Sequence, residues 1–438
     1  MSTHAASICP QLLSERCHTA AVNVRDLLSR RAESLIAEAL TDTRVVLVNG
    51  ARQTGKSTVT RLVGGASADV VFRLLDDPAT LRAAQDDPAG FVDREAGLMI
   101  IDEIQLAPEL LRPIKLTVDL DPTPGRFLLT GSSRILALRT LPDALPGRME
   151  VIELWPFSQG EVDGGPDRFV DAAFEHGPAL DHSTTLRRRD YLERVVVGGF
   201  PEAHRRTPRR RSAFFESYLQ TLIERDVLQL ASIERHGEML KLLSLLASRA
   251  GGLLVPTTLA GQSGIPRTTL TRYLELLQSV FLIKSIPAWS SGSTHRAVGT
   301  AKLAFVDSGI ASHLLGQSVA RLDEPGGAAG PMLENFVAME IARQLTWSDE
   351  RVRMFHYRTK DKVEVDVVLE TPDGRIVGIE VKAGATVRSE DLVGLRNLAA
   401  VVGERFVAGY VLYTGKQTLP YGPKLRAVPM EALWRLAP

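Results

Sequence analysis

The sequence has few cysteines, no long apolar run and no excess of charge of either sign. Its two cysteines, Cys9 and Cys17, lie near the start of the chain and lack the spacing of metal ligands. So few cysteines exclude a disulfide-rich scaffold and fit the reducing cytoplasm, where we expect the protein to work. No stretch of about 18 apolar residues is present, so we predict no transmembrane helix, and the first residues lack the pattern of a secretion signal.

The balance of charge limits the kinds of partner. The 52 basic and 52 acidic side chains cancel, so the chain as a whole does not attract nucleic acid or membrane. Binding of that kind needs a local patch. Of the 438 residues, 44% are hydrophobic and 24% are charged, as in ordinary globular proteins. A chain of this length has room for about two to four domains.

Short β-branched runs alternate with helical stretches after Arg44. The runs are Val45–Val48, Val70–Leu75, Leu98–Ile101, Phe127–Leu129 and Val151–Leu154. Apolar runs of this length are typical of strands that are buried on both faces of a parallel sheet. Their alternation with helices predicts an α/β domain. The glycine-, proline- and charge-rich residues 160–190 are instead predicted to form a loop or an exposed insertion.

Residues Gly50 to Ser57 fit the pattern of a phosphate-binding loop, in which a strand runs into a glycine-rich turn and then a helix. The glycines let backbone N–H groups turn toward phosphate oxygens, and the helix N-terminus adds its positive dipole. Lys56 is predicted to bind the β- and γ-phosphates, and the Ser57 hydroxyl to ligate Mg²⁺. An ordinary glycine-rich turn is the alternative. The residues predicted to bind ATP are Gly50, Gln53, Thr54, Gly55, Lys56, Ser57 and Thr58.

Two acids, Asp102 and Glu103, end the apolar run that begins at Leu98. Ligands of open α/β sheets bind at the carboxyl edge of the strands, where these acids are expected. Asp102 is predicted to hold Mg²⁺, mostly through water. Glu103 is predicted to orient or deprotonate the attacking water. Such a pair is otherwise usually a solvated helix cap, but the phosphate loop upstream favours the catalytic interpretation.

A third apolar run, from Phe127, ends in small polar residues, of which Ser132 and Ser133 carry hydroxyls. A hydroxyl there, with Ser132 the candidate, is predicted to sense the γ-phosphate, and a simple turn is the alternative. Arg134 and Arg148 follow. Either is a candidate to neutralise transition-state charge, in its own chain or in a neighbouring subunit. The sequence does not choose between them, and a surface arginine is the commonest alternative.

The chain resembles a known family at these motifs. The matching runs are Gly50–Ser57, Ile101–Gln105, Leu129–Ser133, Leu145–Arg148 and Trp155–Phe157, followed by Gly198–Pro201 and Tyr218–Asp226. They resemble the prokaryotic AAA-like ATPases of the AAA_14 type that carry a C-terminal DUF4143 domain. The resemblance covers most of the chain, from about Arg44 to about Ala400. It implies an AAA-related core, a winged-helix segment and a C-terminal nuclease-like domain, and it supports ATP binding more than any cellular role.

The residues after 250 favour a helix, a turn and a second helix. The helices are predicted at Pro256–Gly261 and Arg267–Leu277, with strands at Val280–Ile286 and Lys302–Val306 as a wing. Helix-turn-helix spacing with a glycine in the turn suits a DNA-binding fold. The apolar face comprises Leu270, Tyr273, Leu274 and Leu277, and the residues left to face DNA are Arg267, Thr268, Thr271 and Arg272. Winged helices also serve as protein-contact modules, which is the alternative.

The C-terminal region carries two predicted strands, Lys362–Leu369 and Arg375–Lys382, joined by a hairpin turn at Asp373-Gly374. Side chains two residues apart lie on one face of a strand, so Glu380 and Lys382 are expected to point the same way, within reach of Asp366. Two carboxylates and a lysine suit Mg²⁺-dependent phosphodiester hydrolysis. Glu334 is a candidate to complete the acidic site.

This arrangement resembles the PD-(D/E)xK nuclease fold, with Asp366, Glu380 and Lys382 in the motif places. The sequence departs from the motif because Val365, not proline, precedes Asp366. The position is variable in that superfamily, so the departure weakens the resemblance little. A hairpin face with mixed charges, which is common and stabilising, is the alternative, as is an idle domain that only binds DNA or a partner.

From these patterns, and from what the resemblance implies, we predict an α/β chain of five segments. They are an N-terminal tail and helix (1–35), a P-loop AAA-like ATPase core with a parallel sheet (36–160), a helical linker (161–235), a winged-helix segment (236–306) and a restriction-endonuclease-like domain (307–438). ATP hydrolysis is the predicted activity, ATP and Mg²⁺ are the predicted cofactors, and DNA and a second copy of the chain are candidate partners.

Three functions remain open at this stage. The first is an ATP-regulated enzyme that acts on DNA and has nuclease capacity. The second is a nucleotide-dependent switch that binds DNA or a protein partner without cutting, which the neutral net charge favours. The third is an oligomeric remodelling machine, prompted by Arg148 as an arginine finger supplied by a neighbouring subunit.

Overall fold

The computed structural model describes residues 27–65, 69–93, 97–132, 145–227, 236–290 and 299–436. Cys9, Cys17, Ser133 and Arg134, which the sequence singled out, lie outside these ranges. None of the helices within them combines the length and the apolar character that crossing a membrane requires.

The first part of the chain forms an α/β domain around a parallel sheet. Its elements are α1 (Arg31–Asp42), β1 (Val45–Asn49), α2 (Lys56–Gly64), β2 (Val70–Leu74), α3 (Pro78–Asp86), α4 (Pro88–Val92), β3 (Leu98–Asp102), α5 (Leu111–Leu120), β4 (Phe127–Gly131) and β5 (Met149–Glu153). The strand order is β2-β3-β4-β1-β5, and every pair of neighbours is parallel. The predicted parallel-sheet core is therefore confirmed.

The position of a strand in this sheet decides its burial. The inner strands β1, β3 and β4 are buried at every residue, as predicted. The edge strands β2 and β5 are largely half-buried or exposed, so the prediction that these two runs are buried on both faces was wrong. An edge strand has one neighbour fewer, and its β-branched composition alone does not reveal that position.

Alternation along β1 builds an apolar layer on each face of the sheet. Val45 and Leu47 pack in one cluster with Ile114 of α5. Val46 and Val48 pack in another cluster, which includes residues of α1 and α2. Successive side chains of a strand point to opposite faces, so a five-residue apolar run serves both layers. The three-layer arrangement holds the carboxyl ends of the inner strands side by side.

The middle of the chain is mostly helical. Its elements are α6 (Gln159–Asp163), α7 (Phe169–Glu175), α8 (Arg188–Val197), α9 (Pro201–His204), α10 (Pro208–Leu222), α11 (His236–Ala247), α12 (Pro256–Ser263), α13 (Arg267–Ser279), β6 (Ile283–Ile286) and β7 (Lys302–Phe305). The predicted helix, turn, helix and two strands are all present, and β6 pairs with β7 in an antiparallel ribbon. Their identity as a winged helix stays a prediction.

The prediction of a loop or exposed insertion over residues 160–190 was wrong. This stretch contains α6 and α7, and Phe169, Val170 and Phe174 are buried in the largest apolar cluster of the described residues. Two of its glycines, Gly160 and Gly165, mark close contacts instead of loop positions. A Cβ atom on Gly165 would lie 2.2 Å from the carbonyl oxygen of Trp434, so only glycine lets these segments approach.

The last part of the chain surrounds a six-stranded mixed sheet. Its elements are α14 (Ser308–Leu314), α15 (Val319–Asp323), α16 (Ala329–Gln344), β8 (Arg353–Arg358), β9 (Glu364–Glu370), β10 (Ile376–Lys382), α17 (Val393–Val402), β11 (Phe406–Tyr413), β12 (Leu419–Pro420), β13 (Leu425–Pro429) and α18 (Ala432–Arg435). The strand order is β12-β13-β11-β10-β9-β8. The predicted hairpin of β9 and β10 is present as an antiparallel pair.

The middle and last parts share one apolar core. Trp434 packs edge-on against Tyr191 of α8 and Phe336 of α16. The Tyr410 hydroxyl of β11 donates to the Gly177 carbonyl at 2.6 Å. The ATPase sheet meets this core through Ala51 and Trp155, which belong to the same cluster. The phosphate loop therefore lies where the ATPase domain meets the core that the middle and last parts share.

Candidate functional site

The phosphate loop is shaped by residues in left-handed backbone conformations and by one close approach. Between β1 and α2, Gln53 and Gly55 have φ angles of 62° and 95°. A Cβ atom on Gly50 would lie 2.2 Å from the Leu154 carbonyl oxygen, so the loop passes β5 at a distance that only glycine permits. This backbone presents the start of α2 to the carboxyl edge of the sheet, as the sequence predicted.

The lysine, serine and aspartate of the predicted site converge at this edge. Lys56 Nζ donates to the carbonyl oxygens of Gly50 at 3.1 Å and Ala51 at 3.0 Å. Ser57 Oγ donates to Asp102 Oδ1 at 2.9 Å, and Thr130 Oγ1 donates to the same oxygen at 2.5 Å. Hydroxyl and carboxylate oxygens are the ligands that Mg²⁺ prefers, so Ser57 and Asp102 fit the predicted metal. Thr130, which sequence reasoning missed, holds the carboxylate in place.

Glu103 lies beside this group in a constrained conformation. Its φ angle is 59°, which is uncommon for a residue other than glycine, and its N–H donates to Thr130 Oγ1 at 2.9 Å. The Gln105 amide donates to the Glu103 carboxylate, and Gln105 Oε1 accepts the Ser132 N–H at 3.3 Å. Gln105 thus joins the predicted base to the end of β4. The buried Ser132 hydroxyl has no hydrogen-bond partner among the described residues.

A cleft of about 1100 Å³ opens beside the loop. One wall carries Gln53, Thr54, Gly55, Thr58 and Glu103. The other wall comes from α9, α10, the turn between them and the helical turn Ile223–Val227 that follows α10, and it includes Arg205, Arg206, Arg210 and Arg225. Guanidinium groups on one side of a cleft concentrate anions such as a triphosphate. The signal for this wall was available in the sequence, because residues 205–211 contain five arginines.

Arg30 is a second residue that sequence reasoning missed. Its side chain is buried, with 8% exposed, and its Nη1 donates to the carbonyl oxygen of Thr54 in the phosphate loop at 2.7 Å. Nη2 donates to the Trp155 carbonyl at 2.6 Å, and Nε donates to Glu161 Oε1 at 3.0 Å. No local pattern marks Arg30, since its partners lie 24 to 131 residues away.

Arg148 is not brought to the phosphate loop of its own chain. It precedes Met149, which pairs with Val45 at the start of β1, whereas the loop follows the end of that strand. A five-residue strand spans about 16 Å. The Arg148 guanidinium instead pairs with Asp119, whose pKa it lowers. A role for Arg148 in a neighbouring subunit stays a prediction, and Arg134 lies outside the described residues.

The C-terminal candidates meet around a lysine that the sequence analysis did not include. Lys302 Nζ of β7 lies 2.7 Å from Asp366 Oδ1 and 3.9 Å from Glu334 Oε2. The other Asp366 oxygen accepts the Val381 N–H at 2.9 Å. Lys382 Nζ donates to Glu380 Oε1 at 3.1 Å. Asp366, Glu380 and Lys382 are thus close together, as expected, but an ammonium of the chain itself sits between two of the predicted metal ligands.

The role of these acids as a cation site stays a prediction. Among the residues that the structure describes, no group of three or more His, Cys, Asp and Glu side chains is arranged to hold a metal ion. Burial, and then the charge of Asp366, raise the pKa of Glu380 and of Glu334, while Lys302 and Lys382 oppose the rise. The structure adds Lys302, whose ammonium supplies a positive charge beside two of the predicted ligands, Asp366 and Glu334.

The predicted recognition helix has the expected two faces. Leu270, Tyr273, Leu274 and Leu277 of α13 are buried. Arg267, Thr268, Thr271 and Arg272 are exposed. The apolar-face prediction is therefore confirmed, and contact of the outer face with DNA stays a prediction.

Three family models match the chain. Residues 42–163 match AAA_14, an AAA domain, and residues 329–433 match DUF4143, a domain of unknown function. Both matches agree with the resemblance noted in the sequence. Residues 188–321 match DUF8612, a further domain of unknown function, which the sequence analysis did not anticipate. Arg30 lies outside all three matches.

Similar proteins are found along nearly the whole length. An uncharacterized protein of Mycobacterium tuberculosis is 26% identical over 416 residues, which cover 95% of this chain and 86% of that protein. An uncharacterized protein of Haemophilus influenzae is 22% identical over 253 residues, or 56% of this chain and 57% of that protein. The structure of a Walker-type ATPase of Pyrococcus abyssi aligns with a TM-score of 0.42 and 16% identity, covering 66% of this chain and 97% of that one.

Proposed function

We propose that this chain, which carries an AAA_14 domain and a C-terminal DUF4143 domain, binds ATP with Mg²⁺ and hydrolyses it. The observation that carries the proposal is the convergence of Lys56, Ser57 and Asp102 at the carboxyl edge of the parallel sheet. An ammonium, a hydroxyl and a carboxylate at the N-terminus of α2 are the groups that a magnesium-bound triphosphate requires.

Each residue of the site has a separate task in this proposal. Lys56 binds the β- and γ-phosphate oxygens, and Ser57 and Asp102 hold Mg²⁺, which neutralises charge that develops on the phosphates. Glu103 orients the attacking water and accepts its proton. Thr130 fixes both acids, because its hydroxyl donates to Asp102 and accepts the Glu103 N–H. The arginine wall of the cleft supplies positive charge opposite the loop.

ATP binding and turnover by purified wild type, Lys56→Ala and Glu103→Gln test the proposal. The first variant should lose binding, because no ammonium reaches the phosphates. The second should bind Mg-ATP with wild-type affinity and lose at least about a hundredfold in kcat, the usual effect of removing a general base. Lys115→Ala, on a half-buried position of α5, is the control and should match wild type. Wild type that gives no heat with millimolar Mg-ATP would refute ATP binding.

We further propose that the C-terminal domain acts as a nucleotide-dependent switch that binds a partner without cutting DNA. Of the two functions left open for this domain, the position of Lys302 supports the non-cleaving one. Its ammonium already compensates Asp366 and Glu334, so a divalent cation would have to displace a buried ion pair. The ATPase site then controls binding, and the C-terminal acids stabilise the fold.

A cleavage assay separates the two functions. Supercoiled and linear DNA are incubated with Mg²⁺ or Mn²⁺ and either wild type or Lys382→Ala. Intact DNA in both samples supports the switch, and cleavage that depends on Lys382 overturns it in favour of a nuclease. DNA added to the ATPase assay provides a second test, because a change in turnover that Arg267→Glu abolishes would identify DNA as the partner.

A further inference from the structure

We propose that Arg30 is a positioning residue of the nucleotide site. It orients the phosphate loop and connects the loop to the last part of the chain. The inference rests on the proposed ATP binding and adds to it a residue that lies outside the matched families. Arg30 does not belong to the phosphate-binding motif, but it lines the same cleft as Thr54 and Gly55.

The contact of Arg30 with the loop fixes the direction of a phosphate-binding N–H. A peptide unit is planar and trans, so its C=O and N–H point in opposite directions. The carbonyl of Thr54 and the N–H of Gly55 belong to one such unit. Because Arg30 Nη1 holds the Thr54 oxygen from outside the loop at 2.7 Å, it keeps the Gly55 N–H turned inward. A charge-assisted hydrogen bond of this length is among the stronger ones in proteins.

The guanidinium has further partners, and they lie in different directions. Nη2 donates to the Trp155 carbonyl, Nε donates to Glu161, and the group stacks 4.6 Å from the centre of the Phe157 ring. Only the planar fork of arginine meets two carbonyls and a carboxylate at once. A lysine donates from a single nitrogen, so it cannot reach three acceptors that lie in different directions. The geometry therefore requires arginine at this position and not only a positive charge.

Beyond Arg30, buried polar contacts lead to the DUF4143 domain. Glu161 caps α6 by accepting the Ser158 N–H at 3.0 Å. The next N–H, of Gln159, donates to Glu340 Oε2 of α16 at 2.8 Å. Glu340 pairs with Arg343 at 2.6 Å, and Arg343 Nε donates to the Pro156 carbonyl at 3.0 Å. Through these groups the loop and α16 are joined by a continuous path.

This path gives nucleotide binding a mechanical route to the C-terminal domain. A phosphate that accepts a hydrogen bond from the Gly55 N–H also shifts the Thr54 carbonyl, because both groups belong to one rigid peptide unit. Through its hydrogen bonds, Arg30 transmits this shift to Glu161 and to the residues before α6. We therefore expect Arg30 to influence two measurable quantities, the affinity for Mg-ATP and the response of α6 to bound nucleotide.

The first test measures KM and kcat of full-length wild type, Arg30→Lys and Arg30→Met. Both variants should raise KM for Mg-ATP by about tenfold or more, the effect of losing one charge-assisted hydrogen bond. Their kcat should change less, because Lys56, Asp102 and Glu103 remain. Arg30→Lys preserves the charge and is the variant on which the test relies if Arg30→Met does not fold.

The matched control is Arg126→Met. Arg126 is a buried arginine of the same domain, with 6% exposed, but it precedes β4 at the amino edge of the sheet and pairs with Asp121. Its loss should lower the free energy of unfolding and leave KM within about twofold of wild type. Equal KM values for wild type and a folded Arg30 variant would overturn the inference. Wild type that binds no nucleotide would instead refute the proposed function itself.

Hydrogen exchange provides a readout that a purely structural role would not change. In wild type, Mg-ATP should slow amide exchange in the phosphate loop and also in residues 156–163. At saturating nucleotide, Arg30→Lys should retain the first protection and lose the second. Protection of both segments in the variant would show that the path does not run through Arg30.

Discussion

Lys302 Nζ and Asp366 Oδ1 form a buried ion pair of 2.7 Å between β7 and β9. The side chains are 6% and 7% exposed, and β7 lies in the DUF8612 match while β9 lies in the DUF4143 match. A pair of this kind contributes less to stability than its attraction suggests, because both charges lose water. Removal of one member is costly, since it leaves the other charge buried and uncompensated.

Lys302→Met is therefore expected to lower the free energy of unfolding by about 3–5 kcal/mol, as measured by urea denaturation. The double variant Lys302→Met with Asp366→Asn should recover part of that loss, because the nearest acid, at position 366, then carries no charge that needs the ammonium. Lys424→Met is the control. Lys424 is half-buried, and its ammonium donates to a carbonyl, that of Phe406 at 2.8 Å. A smaller loss in Lys302→Met than in this control would contradict the prediction.

Asp167 makes the stability of the chain depend on pH. Burial, and then the charge of Glu340, raise the pKa of Asp167 from 3.8 to about 7; Glu161 adds to the rise, while a hydrogen bond from Ser158 and the charge of Arg31 oppose it. The folded state therefore binds more protons than the unfolded chain between about pH 4 and pH 7. The free energy of unfolding must fall as the pH rises through that window.

Asp167→Asn should remove this part of the pH dependence. Urea denaturation at pH 5 and at pH 8 should show a smaller loss of stability in the variant than in wild type, by on the order of a few kcal/mol. Asp77→Asn is the control, because a hydrogen bond from the Thr80 N–H lowers the pKa of the exposed Asp77, which titrates below the window. Parallel pH profiles of wild type and Asp167→Asn would exclude the raised pKa.

The sequence predicted the parts of the site that are local in the chain. A phosphate loop spans eight consecutive residues, and Asp102 ends an apolar run, so periodicity and motif suffice to find them. The hairpin of β9 and β10 was predictable for the same reason. These features depend on neighbours in the sequence, and the structure places them as expected.

Arg30 and Lys302 were not predictable because their partners are distant. The partners of Arg30 lie up to 131 residues away, and Asp366 lies 64 residues after Lys302. A single charged residue without a local pattern is usually a solvated one, which is the reasonable default. The glycines of residues 160–165 led to the wrong prediction of a loop for a related reason, because glycine is typical both of loops and of close approaches between segments. Only the fold shows that Gly160 and Gly165 are sites of close approach.

Gly50→Ala tests the close approach at the phosphate loop. Its Cβ atom would meet the Leu154 carbonyl at 2.2 Å, so either the loop or β5 has to move. We expect a loss of about 1–3 kcal/mol in unfolding free energy and weaker Mg-ATP binding, since overpacking shifts the backbone. Gly261→Ala, in α12 with open space around the added atom, should be neutral or slightly stabilising. Wild-type affinity and stability in Gly50→Ala would show that the loop accommodates a side chain.

Gln105 touches both Glu103 and the end of β4. Its amide donates to the Glu103 carboxylate, and its oxygen accepts the Ser132 N–H. The left-handed backbone sets where the Glu103 side chain leaves the main chain, and the contact with Gln105 sets the direction of its carboxylate.

Gln105→Ala should lower kcat by about tenfold and leave KM nearly unchanged, because the contact orients the base and does not bind nucleotide. Steady-state kinetics with Mg-ATP measures both. Gln105→Glu sharpens the test, since a second carboxylate cannot donate to Glu103 and repels it at neutral pH. This variant should lose at least as much kcat as the alanine variant. A rise in KM with kcat preserved would place Gln105 in nucleotide binding, and an unchanged kcat in both variants would show that Glu103 is oriented by the backbone alone.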